Sequence, residues 1–480
     1  MKKEKQSRFQ TLQPPKKRSS EKSHRTISPE RTNQKILTKT HNEASDLASV
    51  EQLVFTEKES PEIVKAKKLL STENWLLKNG HMMTYIGIYI FSVLAWFRPY
   101  ELVPSLGFLS ATAFYVALAT LIIFVPTQIL TEASFTAFPT EVKCIIGLVA
   151  FALITTFIGK NFDRSWQTFN DSFIKAAVIF VVMVNVIRTR KRLLGMIFLS
   201  LSIAFVVSLI ALNLYLRGEF RVEGYRVGVE IGGMFGNPND MALHLVTMIP
   251  IAVCLALAQK GFFKRFLYFS MAALFVAGMT VTFSRGAFLG FLISTFFLLW
   301  KVAQKQRFKI LIGSAILSIF FILIAPSNYF LRLLSIFSPE LDPVGSIDQR
   351  KALFLRSLYV TARNPWGIGI GNSPIMNDYN LEWHNTYMQI ASELGIVALF
   401  FYLVFLISPF QKLSAIEKIQ EEEGDWFYYF SVGLQASLVA YMVSSFFVSV
   451  AYNWYVYYLV AYAVALRRIY KKLRFSKDDC

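Results

Sequence analysis

The chain is polar for about 80 residues and then becomes a series of apolar runs divided by short charged or glycine-rich breaks. Runs that reach or approach bilayer length fall near 82–97, 105–126, 143–159, 173–187, 193–214, 241–258, 266–283, 286–300, 308–325, 391–409, 427–447 and 450–466. This pattern predicts an all-α integral membrane fold with about twelve transmembrane helices, because backbone polar groups in hydrocarbon must be satisfied within each segment. Composition agrees: 54% of the 480 residues are hydrophobic and 17% charged, where a soluble domain carries about 25% charged. An ordinary soluble enzyme is excluded.

The formal charge of +18 is segregated. Residues 1–40 hold 12 Lys/Arg against three acids in a Ser/Pro/Gln/Thr-rich setting, which predicts a disordered basic tail over 1–80 rather than a folded nucleic-acid-binding surface. No nucleic acid partner is expected, and contact with membrane lipids is the use such a tail suggests. The polar stretch is far longer than the n-region of a cleavable signal peptide. Cys144, Cys254 and Cys480 are too few and scattered for a disulfide framework, and no zinc-site spacing occurs. The domains expected are therefore the tail, a membrane domain over 81–470 and a short tail over 471–480.

Lysine and arginine gather at 188–192, 260–265, 301–309 and 467–474. An even number of predicted spans separates each cluster from the next, so all four fall on one face, the cytoplasmic one by the positive-inside rule, together with both termini. The opposite face then receives 98–104, 160–172, 216–240, the turns at 284–285 and 448–449, and the long segment 326–390. That segment carries Trp366, Tyr379, Trp383 and Tyr387, too aromatic for disorder, and predicts a helical or irregular outer subdomain.

The spans lack internal Asp, Glu, Lys and Arg except at their ends, which argues against an ion-coupled carrier. Chemistry is expected at the outer rim. Arg221 and Arg226 precede the block Phe235-Gly236-Asn237-Pro238-Asn239-Asp240, Arg285 opens another helix after Thr282-Phe283-Ser284, and Arg350 precedes His384-Asn385. Guanidiniums match phosphate oxygens as planar forks, helix N-termini add oriented N–H donors, and a histidine titrating near roughly 6.5 suits general-base work. Plainer uses stand beside these: Arg285 snorkelling to headgroups, Asn239, Asp240 or Asn385 capping helices, Arg350 paired with an aspartate, Lys175 anchoring at the interface. Glu340-Leu341-Asp342 has an acidic-x-acidic spacing, but two carboxylates are weak support for a cation. No metal and no cofactor are expected.

These blocks, with Arg98-Pro99-Tyr100-Glu101, Asn364-Pro365-Trp366-Gly367-Ile368-Gly369-Ile370-Gly371-Asn372, His384-Asn385-Thr386-Tyr387 and Glu393-Leu394-Gly395, resemble the bacterial O-antigen ligase and O-antigen polymerase family over roughly 80–470. The resemblance implies a polytopic glycosyltransferase of C-type architecture in the bacterial inner membrane. It would transfer an undecaprenyl-diphosphate-linked glycan, at the periplasmic face, to another glycan, to lipid A core or to another hydroxyl. It implies Arg226 and Arg285 on the diphosphate, with Arg221 competing for the first place, and His384 as general base. Arg350, Asn385 and Lys175 are the further substrate-binding candidates. A polymerase with a lipid-linked acceptor is the alternative within the class, and a lipid-linked glycan transporter the alternative outside it. The sequence does not speak to oligomeric state.

Overall fold

The computed structural model describes residues 61–98, 100, 104–109, 111–220, 222–231, 235–302, 312, 346–420 and 426–478. Residues 1–60 of the basic tail, most of the 308–325 run, the 326–345 part of the outer segment with Glu340 and Asp342, and Arg221 lie outside the described residues.

The described chain is helical, with no strand among the described residues beyond an isolated bridge between Val222 and Arg226. Its helices are α1 (Pro61–Phe97), α2 (Thr112–Glu132), α3 (Thr140–Ile158), α4 (Phe162–Thr168), α5 (Ile174–Val186), α6 (Arg190–Leu216), α7 (Pro238–Ala258), α8 (Phe262–Thr280), α9 (Arg285–Val302), α10 (Ser346–Arg363), α11 (Thr386–Glu393), α12 (Ile396–Gln420), α13 (Trp426–Ser444) and α14 (Trp454–Asp478). Among the described residues, ten segments are long and apolar enough to cross a membrane, making this a multi-pass membrane protein. The predicted 450–466 run is the first half of α14, whose second half carries Arg467, Arg468, Lys471 and Lys472.

Three predicted runs are longer or shorter than hydropathy alone suggests. The run predicted at 82–97 is the second half of α1, which begins at Pro61, so residues 61–80, expected as disordered tail, are helical. The span predicted at 173–187 begins at Phe162, where Asn161 caps α4 by accepting from Arg164 N at 3.0 Å, and a π turn over Phe169–Phe173 joins α4 to α5. The run predicted at 391–409 is broken. Gly395 sits at φ +96°, a left-handed conformation open to glycine at little cost, so the chain turns between α11 and the longer α12.

The core centres on α7 and α13, whose most apolar windows are 83% and 72% buried, whereas that of α2 is 12% buried and faces outward. Gly433 on α13 lets the helices approach: a Cβ there would lie 2.8 Å from Cys254 Cβ and 3.3 Å from Pro250 O of α7. The ends of the helices separate chemically. At one end Lys412 donates to Thr140 and Glu141 at the start of α3, and Arg188 and Arg468 meet Glu132. At the other, past the end of α3, Lys160 N donates to Ile368 O at 2.8 Å. The segments assigned to the outer face thus contact one another, as do the basic clusters.

Candidate functional site

Three sequence blocks meet at Asn239. Its Oδ1 accepts from Arg226 Nη2 at 2.7 Å and from Ser284 Oγ at 3.0 Å. Local structure places each partner. Asn237 caps α7, accepting from Asn239 N at 2.8 Å, with Pro238 in the first turn where a missing N–H costs nothing. Arg226 comes from the short bridged turn beginning at Val222, held to the next block by Val227 N donating to Val281 O at 3.3 Å. The Thr280–Ser284 turn strains Phe283 to φ +54°, and Ser284 starts α9 with Arg285 as its first residue. A non-glycine residue in that region costs about 1–3 kcal/mol and persists where the surroundings over-determine it; Phe283 is buried.

Arg226 points inward. It is 3% exposed, and its guanidinium also donates to Thr282 O at 2.9 Å and pairs with Glu223 at 3.2 Å. Burial pulls its pKa below the ordinary guanidinium value; Glu223 opposes this and the neighbouring Arg285 adds to it. Arg226 therefore acts as a brace for the turn that presents Arg285, as well as a source of positive charge. Arg285 itself is partly exposed.

His384 lies on the segment leading into α11. Trp383 is its anchor: 1% exposed, with Nε1 donating to Ser392 Oγ at 2.8 Å. Glu382 and His384, on either side, are exposed and partly exposed. His384 adopts φ +52°, and burial, with Arg350 of α10 nearby, drives its pKa down to about 4. It is neutral at ordinary pH. Glu382 is exposed as a residue, yet its carboxyl group is enclosed, and that enclosure, then Glu393, pushes it up to about 7, with Arg164 and Ser449 opposing. Glu393 is buried but satisfied, accepting from Gly371 N at 2.8 Å, Ser373 N at 3.1 Å and Tyr452 OH at 2.8 Å.

The two groups adjoin through the connection after α13. Gly286 seats against Phe447, while Phe446 packs on Phe354 of α10 and Tyr387 of α11. Glu382 lies within electrostatic reach of Asp240, whose Oδ1 is buried without a partner among the described residues. The structure thus brings Arg226, Arg285, Arg350 and His384 to one end of the helices, on elements that pack together. Asn385 serves as the cap of α11, accepting from Tyr387 N and Met388 N, both at 3.0 Å. Lys175 pairs with Asp171 at 3.4 Å, both side chains about half exposed (52% and 55%). Sequence reasoning passed over Glu382 as a candidate; its placement beside Trp383-His384 was the available signal. Among the described residues no cluster of His, Cys, Asp and Glu is arranged to hold a metal.

The described residues thus form a helical, multi-pass membrane protein with Arg226, Arg285, Arg350 and the neutral imidazole of His384 gathered at one end. Residues 270–403 match the model of the family described as O-antigen ligase, Wzy_C, so this stretch of the chain is similar to that family. The matched stretch contains Arg285, Arg350, His384 and Asn385; Arg226 precedes it. No curated protein matches the chain.

Proposed function

We propose that the chain transfers a glycan from undecaprenyl diphosphate to an acceptor hydroxyl at the outer face of the bacterial inner membrane, its termini lying in the cytoplasm. The observation that carries this reading is the junction at Asn239, which ties the Arg226 turn to the Arg285 helix at the end that also bears His384. Arg285 meets the diphosphate, and Arg226 holds its turn and adds charge. Negative charge on the diphosphate grows as the glycosidic C–O bond breaks, so fixed cations stabilise the transition state more than the ground state. The acceptor oxygen forms the new bond at the anomeric carbon from the opposite face, giving inversion, and its proton passes to neutral His384. Beside Arg350 the resulting imidazolium is a strong acid, and from its partly exposed position it gives the proton up to solvent. Guanidiniums, with no metal, neutralise the leaving group in this scheme.

The test is His384→Ala in membranes supplied with a lipid-linked donor. The variant is expected to insert at normal abundance and to lose transfer by about 10²–10⁴-fold, the usual contribution of a positioned acid or base. Undiminished transfer removes the base role. The product names the acceptor: a ladder of lengthening lipid-linked chains marks a polymerase, a capped lipid A core a ligase.

A further inference from the structure

A separate cavity of about 370 Å³ opens on the same end of the helices, between the residues following α3 and the last turns of α10. Lys160, Arg356, Tyr359, Arg363 and Asn364 line it, and among the described residues no acidic side chain does. Its size is at the lower limit of small-ligand sites, about 300–1,000 Å³, which suits a headgroup rather than a polymer. The two arginines have partners. Arg356 Nε donates to Met376 O at 2.9 Å, and the Arg356 and Arg363 guanidiniums lie 5.4 and 4.8 Å from the centroid of the Tyr359 ring. Both lie within cation–π reach of the ring, and their remaining N–H groups are left for an anion.

The surroundings set the depth. Phe157 and Ile158 at the end of α3, Trp166 on α4, Leu355 and Leu358 on α10 and Trp366 after it are large apolar side chains left exposed. Aromatic rings at the end of a span mark the level of lipid headgroups. Lys160 follows the Thr140–Ile158 span by two residues, so the three cations occupy that level, with apolar surface beside them for a hydrocarbon tail.

We propose that Lys160, Arg356 and Arg363, gathered around Tyr359, form a second phosphate-binding site at the membrane rim, for a phosphate group carried on a lipid. Three cations, with no acid among the described lining residues, select a multiply charged oxyanion, and the exposed Leu355, Leu358 and Trp366 select one with a tail. Two sources share this chemistry, an anionic phospholipid of the bilayer and a lipid diphosphate waiting beside the candidate site. The inference uses no step of the transfer reaction.

Full-length protein in neutral detergent, titrated with farnesyl diphosphate, with phosphatidylglycerol and with inorganic pyrophosphate, and read by native mass spectrometry, tests the site. Arg356→Gln/Arg363→Gln is expected to weaken one of the two lipids by at least roughly tenfold, since each substitution removes a charge-assisted hydrogen bond. The lipid affected identifies the source. Arg285→Gln should leave that lipid's rim binding in place, which separates this result from the fate of the transfer reading. Equal affinity of the double variant and the wild type for both lipids overturns the proposal, and pyrophosphate binding as tightly as farnesyl diphosphate overturns its lipid character. If the double variant loses helix content by circular dichroism, Lys160→Gln, an exposed side chain, carries the same comparison.

Discussion

The two ends of the helices use charge in opposite ways. At the basic end, carboxylates meet cations: Glu141, with no exposed surface, takes Arg467 at 3.1 Å and Lys412 at 3.0 Å, Glu132 takes Arg188 at 2.7 Å and Arg468 at 3.4 Å, and Glu417 takes Lys301 at 2.9 Å. At the motif end like groups also gather: Arg226, itself paired with Glu223 at 3.2 Å, lies beside Arg285, Glu382 lies beside Asp240 and Glu393, and Arg350 lies beside the neutral His384. Opposite charges brought together clamp helices. Like charges held together cost stability, and a fold retains them where an anion or a proton is to be handled.

This contrast is open to attack from both sides. After the loss of His384, the largest effect expected is from Arg285→Lys, where a point ammonium replaces a bidentate fork. Transfer should fall by roughly ten- to a hundredfold, the scale of one lost charged hydrogen bond, with thermal unfolding unchanged; wild-type turnover would leave Arg285 with a headgroup role only. Glu141→Ala reverses the pattern. Removing one partner of a buried pair leaves Arg467 and Lys412 uncompensated and should destabilise by about 3 kcal/mol, seen as a lower unfolding temperature, while transfer per folded molecule stays near normal.

A third test is the pH profile. His384 must be neutral to accept a proton, and its lowered pKa of about 4 keeps it so. Transfer should therefore hold steady from neutral pH downward and fall only as pH drops through about 4; a fall centred near 6.5 would mean that the burial of His384 is lost in the working protein. The smallest effect belongs to Glu382. Its pKa is raised to about 7 from 4.5, so the folded state favours the protonated form, and the stability this contributes is present at acid pH and lost as pH rises through about 7. Glu382→Gln should raise the unfolding temperature slightly at pH 8 and leave it unaltered near pH 4, the exposed position limiting the size of the change. Equal shifts at both pH values would place the effect in packing rather than in protonation.

Much of the fold was legible because hydropathy is a property of a local stretch. The runs at 143–159, 193–214, 241–258 and 427–447 appear as α3, α6, α7 and α13 with modest changes at their ends. The Phe-Gly-Asn-Pro block reads as a helix start, and Asn237 makes the cap. Less of the site was legible. Arg226 and Arg285 were named for one task, yet only the folded chain shows Arg226 turned inward and spent on Thr282, Glu223 and Asn239. Asn385, weighed between substrate and cap, makes the cap. Glu382 passed unnoticed because its one sequence cue, a place beside Trp383-His384, says nothing of Asp240 and Glu393 until its neighbours in space are known.

By itself the sequence determined that the chain is helical and membrane-embedded, and where its cationic clusters and motif blocks fall, since run length and charge placement answer to hydrocarbon locally. Only the tertiary structure decided which charges are quenched. Glu141 and Arg467 lie 326 positions apart, and Asn239 joins residues 13 positions before it and 45 after it. Pairing depends on how helices stack, and stacking is set by side-chain fit such as Gly433 against Cys254, to which no local pattern of hydrophobicity refers.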